Sequence, residues 1–362
     1  MIDTFSGAYK DKVVLVTGHT GFKGSWLSIW LTALGARVVG YALDPTSPRG
    51  NYQASHLKER LLADERGDIC DSARFEEVVS RYKPSIIFHL AAQALVRTSY
   101  QFPKATYQTN VMGSLHILEA ARKFDFVKQI IMITSDKCYE NVEQTRGYCE
   151  TDRMGGYDPY SSSKGCMELL IASWRNSFFN PKEYVKHGKA LASVRSGNAI
   201  GGGDWGEYRL VPDCIRFLEA DQAIEIRSPQ STRPWMHVLE PLSGYLKVGE
   251  KLQQDPATYS TCFNFGPGLD ANHTVREVAE KVISCYGKGS LIIKEQPGAV
   301  HENKLLNLDA TKAYRMLDNW QTRWSFEQAI QCTVDWYKEA LRQKDMWNYC
   351  LQQIETHEKG NR

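Results

Sequence analysis

A doubly wound α/β fold, with a parallel sheet covered on both faces, is what this sequence predicts, and three observations predict it. Short apolar, β-branched runs alternate with helical stretches through the first half of the chain. The runs are apolar along their whole length, which suits strands buried on both faces rather than the alternating pattern of a half-exposed sheet. A glycine-rich turn joins the first run to the first helix, as a nucleotide-binding strand–turn–helix unit requires.

Taken in order, Val13–Thr17 is the first strand and 24–34 the first helix. Strands follow at 37–43, 65–69, 86–90 and 129–135, with helices at Ser72–Tyr82 and 111–123 between them. After the strand at 190–195 the pattern changes. Segments 201–205 and 227–234 read as loops, Leu210–Glu219 as a helix, 261–265 as a late strand and 331–349 as one helix. The expected organisation is therefore a dinucleotide-binding domain over 1–195, with returns near 235–265. A smaller mixed α/β substrate-binding domain occupies most of 196–362, interleaved with the first.

The chain has 362 residues, 42% hydrophobic and 24% charged, enough for a sizeable core. Its 44 basic and 42 acidic residues leave a formal charge of +2, which gives no bulk field for nucleic acid or a membrane surface. No apolar run reaches the length of a membrane span, and Met1–Phe5 lack the basic and apolar regions of a signal peptide. The nine cysteines are scattered without a Cys-x-x-Cys pair. Free thiols in a reducing cytoplasm are the expectation. No histidines have paired ligand spacing, so no metal is expected.

Gly18, Gly21 and Gly24, at i, i+3 and i+6 after the first strand, serve a tight turn, a close backbone approach to a pyrophosphate, and the packing of helix on strand. The loop Gly18-His19-Thr20-Gly21-Phe22-Lys23-Gly24 delivers free N–H groups to the phosphates. It is not a P-loop, because Lys23 precedes Gly24 and Ser25. Asp44, 20 residues past Gly24, is placed to take a ribose 2′-hydroxyl and to repel a 2′-phosphate, which favours NAD over NADP. Arg49 nearby weakens that preference. Asp68, after Gly67, reads equally as an adenine contact or a turn residue.

Tyr160 and Lys164 lie four residues apart and share one helix face. The ammonium is expected to stabilise a phenolate and pull the tyrosine toward physiological pH. Such a tyrosine takes a proton from a sugar hydroxyl while a nicotinamide takes the hydride. Ser135-Asp136-Lys137 follows the fifth strand and adds an acid and a base that plain dehydrogenation does not need, pointing to dehydration. Lys137 reads as a C5 base or as a substrate-orienting cation. Asp136 reads as a proton donor or as the ion-pair partner of Lys137. A diphosphate calls for arginine forks, and Arg195, Arg209, Arg227 and Arg233 stand in the second half.

Several segments together resemble the extended short-chain dehydrogenases/reductases. They are Thr17-Gly18 with Gly21-Phe22 and Gly24, Gly67-Asp68-Ile69, His89-Leu90-Ala91-Ala92-Gln93, Asn110, Thr134-Ser135-Asp136, Tyr160 with Lys164, and Asn264-Phe265-Gly266. Further segments resemble the CDP-glucose branch of the nucleotide-sugar 4,6-dehydratases: Gly155 to Tyr160, Arg195 to Trp205 and Arg233 to Val238. Lys137 departs from the dTDP-glucose and GDP-mannose relatives, which place a glutamate there as base. The resemblance implies a Rossmann-type domain holding NAD, with Ile69, Leu90, Ala91 and Ala92 against the cofactor. CDP-glucose is the implied substrate, met by Gln93, Asn198, Arg233, Arg227 and His301. It also implies a homodimer, or a homotetramer, through helices beginning near Asn110 and Tyr160, with Met112, Leu115, Leu118, Leu169 and Leu170 as apolar material. The rival readings are a 4-epimerase, which needs no acid and base after the strand, a dehydratase for another nucleotide sugar, and a non-catalytic NAD sensor.

Overall fold

The computed structural model describes residues 4–268, 271–294, 306–342 and 344–360. Seven strands form one sheet in the order Cys262–Phe265, Ala190–Ser196, Gln129–Ile133, Ile86–His89, Val13–Thr17, Arg37–Ala42, Ala63–Arg66. Every pairing in it is parallel. The strand order reverses between Val13–Thr17 and Ile86–His89, where Val14 pairs with Ile86 and Thr17 with His89. A crevice opens outside the carboxyl ends of strands at such a switch point.

The uniform apolar runs are explained by two cores, one on each side of the sheet. Val14, Val16, Phe88, Ile131 and Ile133 face one core, with Trp26, Trp30, Leu242 and Leu246. Leu15, Ile87, Ile130 and Met132 face the other, with Phe75, Ile117, Leu118 and Met167. Successive strand side chains point to opposite faces, so both sets must be apolar. The late segment returns to this body. Helix Leu239–Gln254 packs on the first core, and Cys262–Phe265 closes the sheet edge beside Ala190–Ser196.

Local signals place the helices. Asp71 caps Ser72–Tyr82 by accepting from Arg74 N–H, and Lys83 ends it with φ 49°. Thr274 with Glu277, and Ser325 with Gln328, form capping boxes at Val275–Tyr286 and Phe326–Ala340.

Five expectations are corrected. The third strand runs Ala63–Arg66 rather than 65–69, because its partner ends at Ala42, opposite Arg66, and Gly67 to Ile69 turn toward the crevice. The first helix begins at Phe22, and a π-helical turn Gln108–Met112 precedes Gly113–Lys123. The loop at 227–234 ends in a strand, Thr232–Pro234, antiparallel to Asn272–Thr274. The single helix expected at 331–349 is two, Phe326–Ala340 and Trp347–Lys359. The break is held from elsewhere: Met346 N–H donates to Ala54 O at 2.8 Å, and Asp345 accepts from Trp347 N–H and pairs with Arg60.

Candidate active site

The crevice at the switch point is a cleft of about 860 Å³. On one side it is made of backbone. Gly18 has φ +74°, and a Cβ there would stand 2.8 Å from Ala91 N. A Cβ at Gly24 would meet Gly18 O at 2.1 Å. Helix Phe22–Ala33 has no side-chain cap, so its first N–H groups are open to an anion. Thr17 Oγ1 ties the two strand ends, accepting from Leu90 and Ala91 N–H at 3.1 and 3.2 Å. A bare helix terminus and a cradle that any side chain would fill fit a dinucleotide pyrophosphate.

Thr20, Phe22, Asp44, Asp68, Ile69, Leu90, Ala91 and Ala92 all line this side. Asp44 is exposed and accepts from Arg66 Nε at 3.0 Å; Asp68 accepts from Cys70 N–H at 2.9 Å. Arg49 is turned away, forked onto Glu219 and stacked on Trp205. The cation beside Asp44 is Arg66, which also holds Asp64 and Tyr52. His19 does not face the cleft. Its buried ring bonds Asp64 at 2.6 Å and fills the space over Gly40, where a Cβ would come within 2.3 Å of it. Burial lowers the His19 pKa despite Asp64, so it acts as a neutral strut beneath the loop.

The other side is made of charged side chains at the ends of later elements. Asp158 accepts from Ser161 N–H at 2.9 Å and Pro159 sits at the first helical position. Together they start helix Pro159–Ser177 so that Tyr160 and Lys164 both line the cleft. Ser135 caps the short turn Asp136–Cys138 and donates to Asp136 Oδ1 at 2.8 Å. Lys137 lines the cleft beside them.

The electrostatics differ from the expectation at Tyr160. Burial pushes its hydroxyl up to about 12, Ser135 and Arg209 opposing, with Asp136 adding to the rise. Burial also brings Lys164 down to about 8, and its Nζ donates to Ile133 O at 3.4 Å. Asp136 is raised by burial, against Lys137, Ser135 and Lys23, which is the direction a proton donor needs.

Among the proposed substrate contacts, Asn198, Arg209 and Arg233 line the cleft. Arg209 is oriented by Asp204 at 2.7 Å. Gln93 also lines it, but its amide is committed to Leu95 and to Thr106 of helix Pro103–Tyr107. Arg195 is buried, forming an ion pair with Glu168 at 2.8 Å and donating to Tyr139 at 2.6 Å. It does not line the cleft, and its guanidinium is committed to Glu168, Tyr139 and Glu150 O. Arg227 is exposed and outside the cleft lining. His301 lies outside the described residues. Of the apolar material proposed for a subunit face, Met112 and Leu169 are exposed, whereas Leu118 is in the second core.

Two groups escaped the sequence reading, and a third, Lys23, was assigned there to the cofactor loop alone. Arg97 lines the cleft and stacks on Tyr208 at 4.6 Å; its place just after the fourth strand was the available signal. Asp204, an acid inside a glycine run, orients Arg209. The Lys23 side chain leaves its loop and donates to Ser196 Oγ at 2.8 Å, with no local sign of that reach. Among the described residues no side chains cluster as metal ligands, and no helix is long and apolar enough to cross a membrane.

Comparison with known proteins completes the picture. The family model described as GDP-mannose 4,6 dehydratase matches residues 15–333. A CDP-glucose 4,6-dehydratase of Salmonella typhimurium is 47% identical over 93% of this chain and 94% of its own length. A dTDP-glucose 4,6-dehydratase of the same organism is 25% identical, covering 90% of this chain and 92% of its own. Among solved structures, an epimerase of Methanothermobacter thermautotrophicus superposes with TM-score 0.77 at 24% identity, over 97% of both chains. A dTDP-glucose 4,6-dehydratase of Bacillus anthracis in complex with NAD superposes with TM-score 0.73 at 20% identity, over 91% of this chain and 97% of that one.

Proposed function

This chain belongs to the GDP-mannose 4,6-dehydratase family, and on that premise we propose how its residues divide the work. The chain is an NAD-dependent nucleotide-sugar 4,6-dehydratase acting on CDP-glucose, giving CDP-4-dehydro-6-deoxyglucose and water. One observation carries the reading: a buried carboxyl, Asp136, with its proton favoured by burial, shares a cleft with Tyr160 and Lys164. A 4-epimerase has no use for that donor.

NAD, when bound, would supply the hydride acceptor for C4 and the hydride donor for C6. Gly18 to Gly24 and the start of helix Phe22–Ala33 would hold its pyrophosphate, and Asp44 its ribose. Tyr160 takes the proton of the C4 hydroxyl, with Ser135 on the oxygen. Burial holds Tyr160 up at about 12, and the Lys164 ammonium on the same helix face supports the phenolate against it. The 4-ketone acidifies the C5 proton, which Lys137 removes. Asp136 protonates the C6 hydroxyl and water leaves. Asn198, Arg209 and Arg233 hold the diphosphate; Arg195 and Arg227 leave the substrate set.

The division into a cofactor domain over 1–195 and a substrate region beyond is part of the same reading. So is a homodimer across helices Gly113–Lys123 and Pro159–Ser177, for which exposed Met112 and Leu169 are the material. Light scattering distinguishes it from a tetramer. Nine free thiols and the pools of NAD and nucleotide sugar suit a cytoplasmic setting.

The test is mass spectrometry and proton NMR of the protein with CDP-glucose and NAD, beside dTDP-glucose and GDP-mannose. Loss of one water from CDP-glucose alone, a new C6 methyl signal and no net NADH are expected. An unchanged mass with a second hexose would make the chain an epimerase.

A further inference from the structure

Lys23 lies in the first turn of helix Phe22–Ala33, within the glycine motif, but its side chain crosses the cleft to the end of strand Ala190–Ser196. There its Nζ donates to Ser196 Oγ, which lies 2.7 Å from the buried Tyr245 hydroxyl. The next residue, Gly197, packs on the acid: a Cβ at Gly197 would stand 3.3 Å from Asp136 Oδ2. The ammonium is thus anchored on Ser196, the residue before the glycine that packs against the carboxyl. The charged and titratable groups around the pair are Lys137, Lys164, Arg209, Asp204, Tyr160 and Tyr245. The coupling runs both ways. Burial brings Lys23 down to about 8, and Asp136 is the first of the charges holding it up. Lys23 in turn helps hold the Asp136 carboxyl down against burial.

We propose that Lys23 is a positioning residue for the elimination: anchored on Ser196, its ammonium faces Asp136 and steadies the carboxylate left after Asp136 has given up its proton. The inference rests on the dehydratase reading above. In the step concerned the C5–H and C6–O bonds break and C5=C6 forms. The C5 proton goes to the base, the Asp136 proton goes to the departing oxygen, and water leaves with no net oxidation. Oxidation at C4 comes earlier and does not use Asp136, so losing Lys23 slows the second step and spares the first.

The experiment is stopped-flow absorbance at 340 nm with CDP-glucose and saturating NAD, for the wild type, Lys23→Met, Lys23→Gln and Lys23→Arg. NAD affinity is measured separately by calorimetry. Both uncharged variants are expected to lose roughly tenfold or more in kcat and to accumulate NADH transiently. Lys23→Arg is expected to recover most of the rate and abolish the transient. Lys23→Gln keeps a donor for Ser196, so it carries the test if Lys23→Met does not fold by circular dichroism. Weaker NAD binding with unchanged kcat and no transient would overturn the proposal and make Lys23 a pyrophosphate ligand. Equal loss in all three variants without a transient would overturn it in favour of a structural role. A wild type that leaves CDP-glucose unchanged would refute the dehydratase reading itself.

Discussion

The two walls of the cleft are built on different principles. The cofactor wall is backbone: a left-handed Gly18, a crowded Gly24, an uncapped helix start, and Thr17 closing two strand ends. The reaction wall is side chains: Ser135, Asp136, Tyr160, Lys164 and Arg209 converge from a strand end, a helix and a loop, with Lys23 reaching over from the opposite wall. A backbone wall leaves side chains of its loop free for other work, as with His19, which braces the loop from beneath. A side-chain wall in a dry cleft is an electrostatic object, in which burial moves Tyr160 and Asp136 up and Lys164 and Lys23 down. Substitutions should therefore damage the first through space and the second through charge.

The largest effect expected is at Tyr160. Tyr160→Phe should lower kcat on the order of 10³-fold while NAD affinity stays within a few-fold, measured by turnover and calorimetry. A comparable loss of NAD binding would mean the two walls are not separable.

Next is the buried Glu168–Arg195 pair, which supports the reaction wall from behind. Arg195→Met leaves Glu168 buried without its partner and should cost about 3 kcal/mol of stability. Urea denaturation would read that loss, with KM for CDP-glucose little changed. A large rise in KM at full stability would return Arg195 to the substrate set. Burial alone would raise Glu168, but Arg195, Thr134 and Ser193 hold it below its ordinary value. Its stabilisation is therefore complete above the unfolded value of about 4.3 and is lost as pH falls through the folded value. Acid denaturation of Glu168→Gln should show a shallower loss over that range.

On the cofactor wall, Gly18→Ala strains a backbone at φ +74° and presses on Ala91 N. NAD affinity should fall roughly tenfold, since a residue forced into that region costs about 1–3 kcal/mol, with kcat at saturating NAD nearly intact. The smallest effect is at the exposed Arg66–Asp44 contact, where an ion pair is worth about 0.2–1 kcal/mol. Arg66→Ala should weaken NAD binding by no more than about fivefold. A stronger effect would show that Arg66 does more than orient Asp44.

Local backbone requirements were open to reading along the chain. Strands buried on both faces must be apolar throughout, a turn at positive φ needs Gly18, and Asp158-Pro159 starts a helix with Tyr160 and Lys164 one turn apart. That much places the sheet, the glycine loop and the Tyr–Lys pair. Tertiary structure decided the rest, because those choices depend on partners far away in sequence. Arg195 looked like a phosphate ligand until Glu168 claimed it, and the helix expected at 331–349 breaks where Ala54 and Arg60 hold residues 345 and 346. Leu118 has the apolarity of a subunit face and lies in the core. Lys23 sits in the first turn of a helix yet places its charge 173 positions away at Ser196. Sequence specifies what a backbone can do locally; where a long charged side chain ends depends on which buried partner and which desolvation cost the finished fold presents to it.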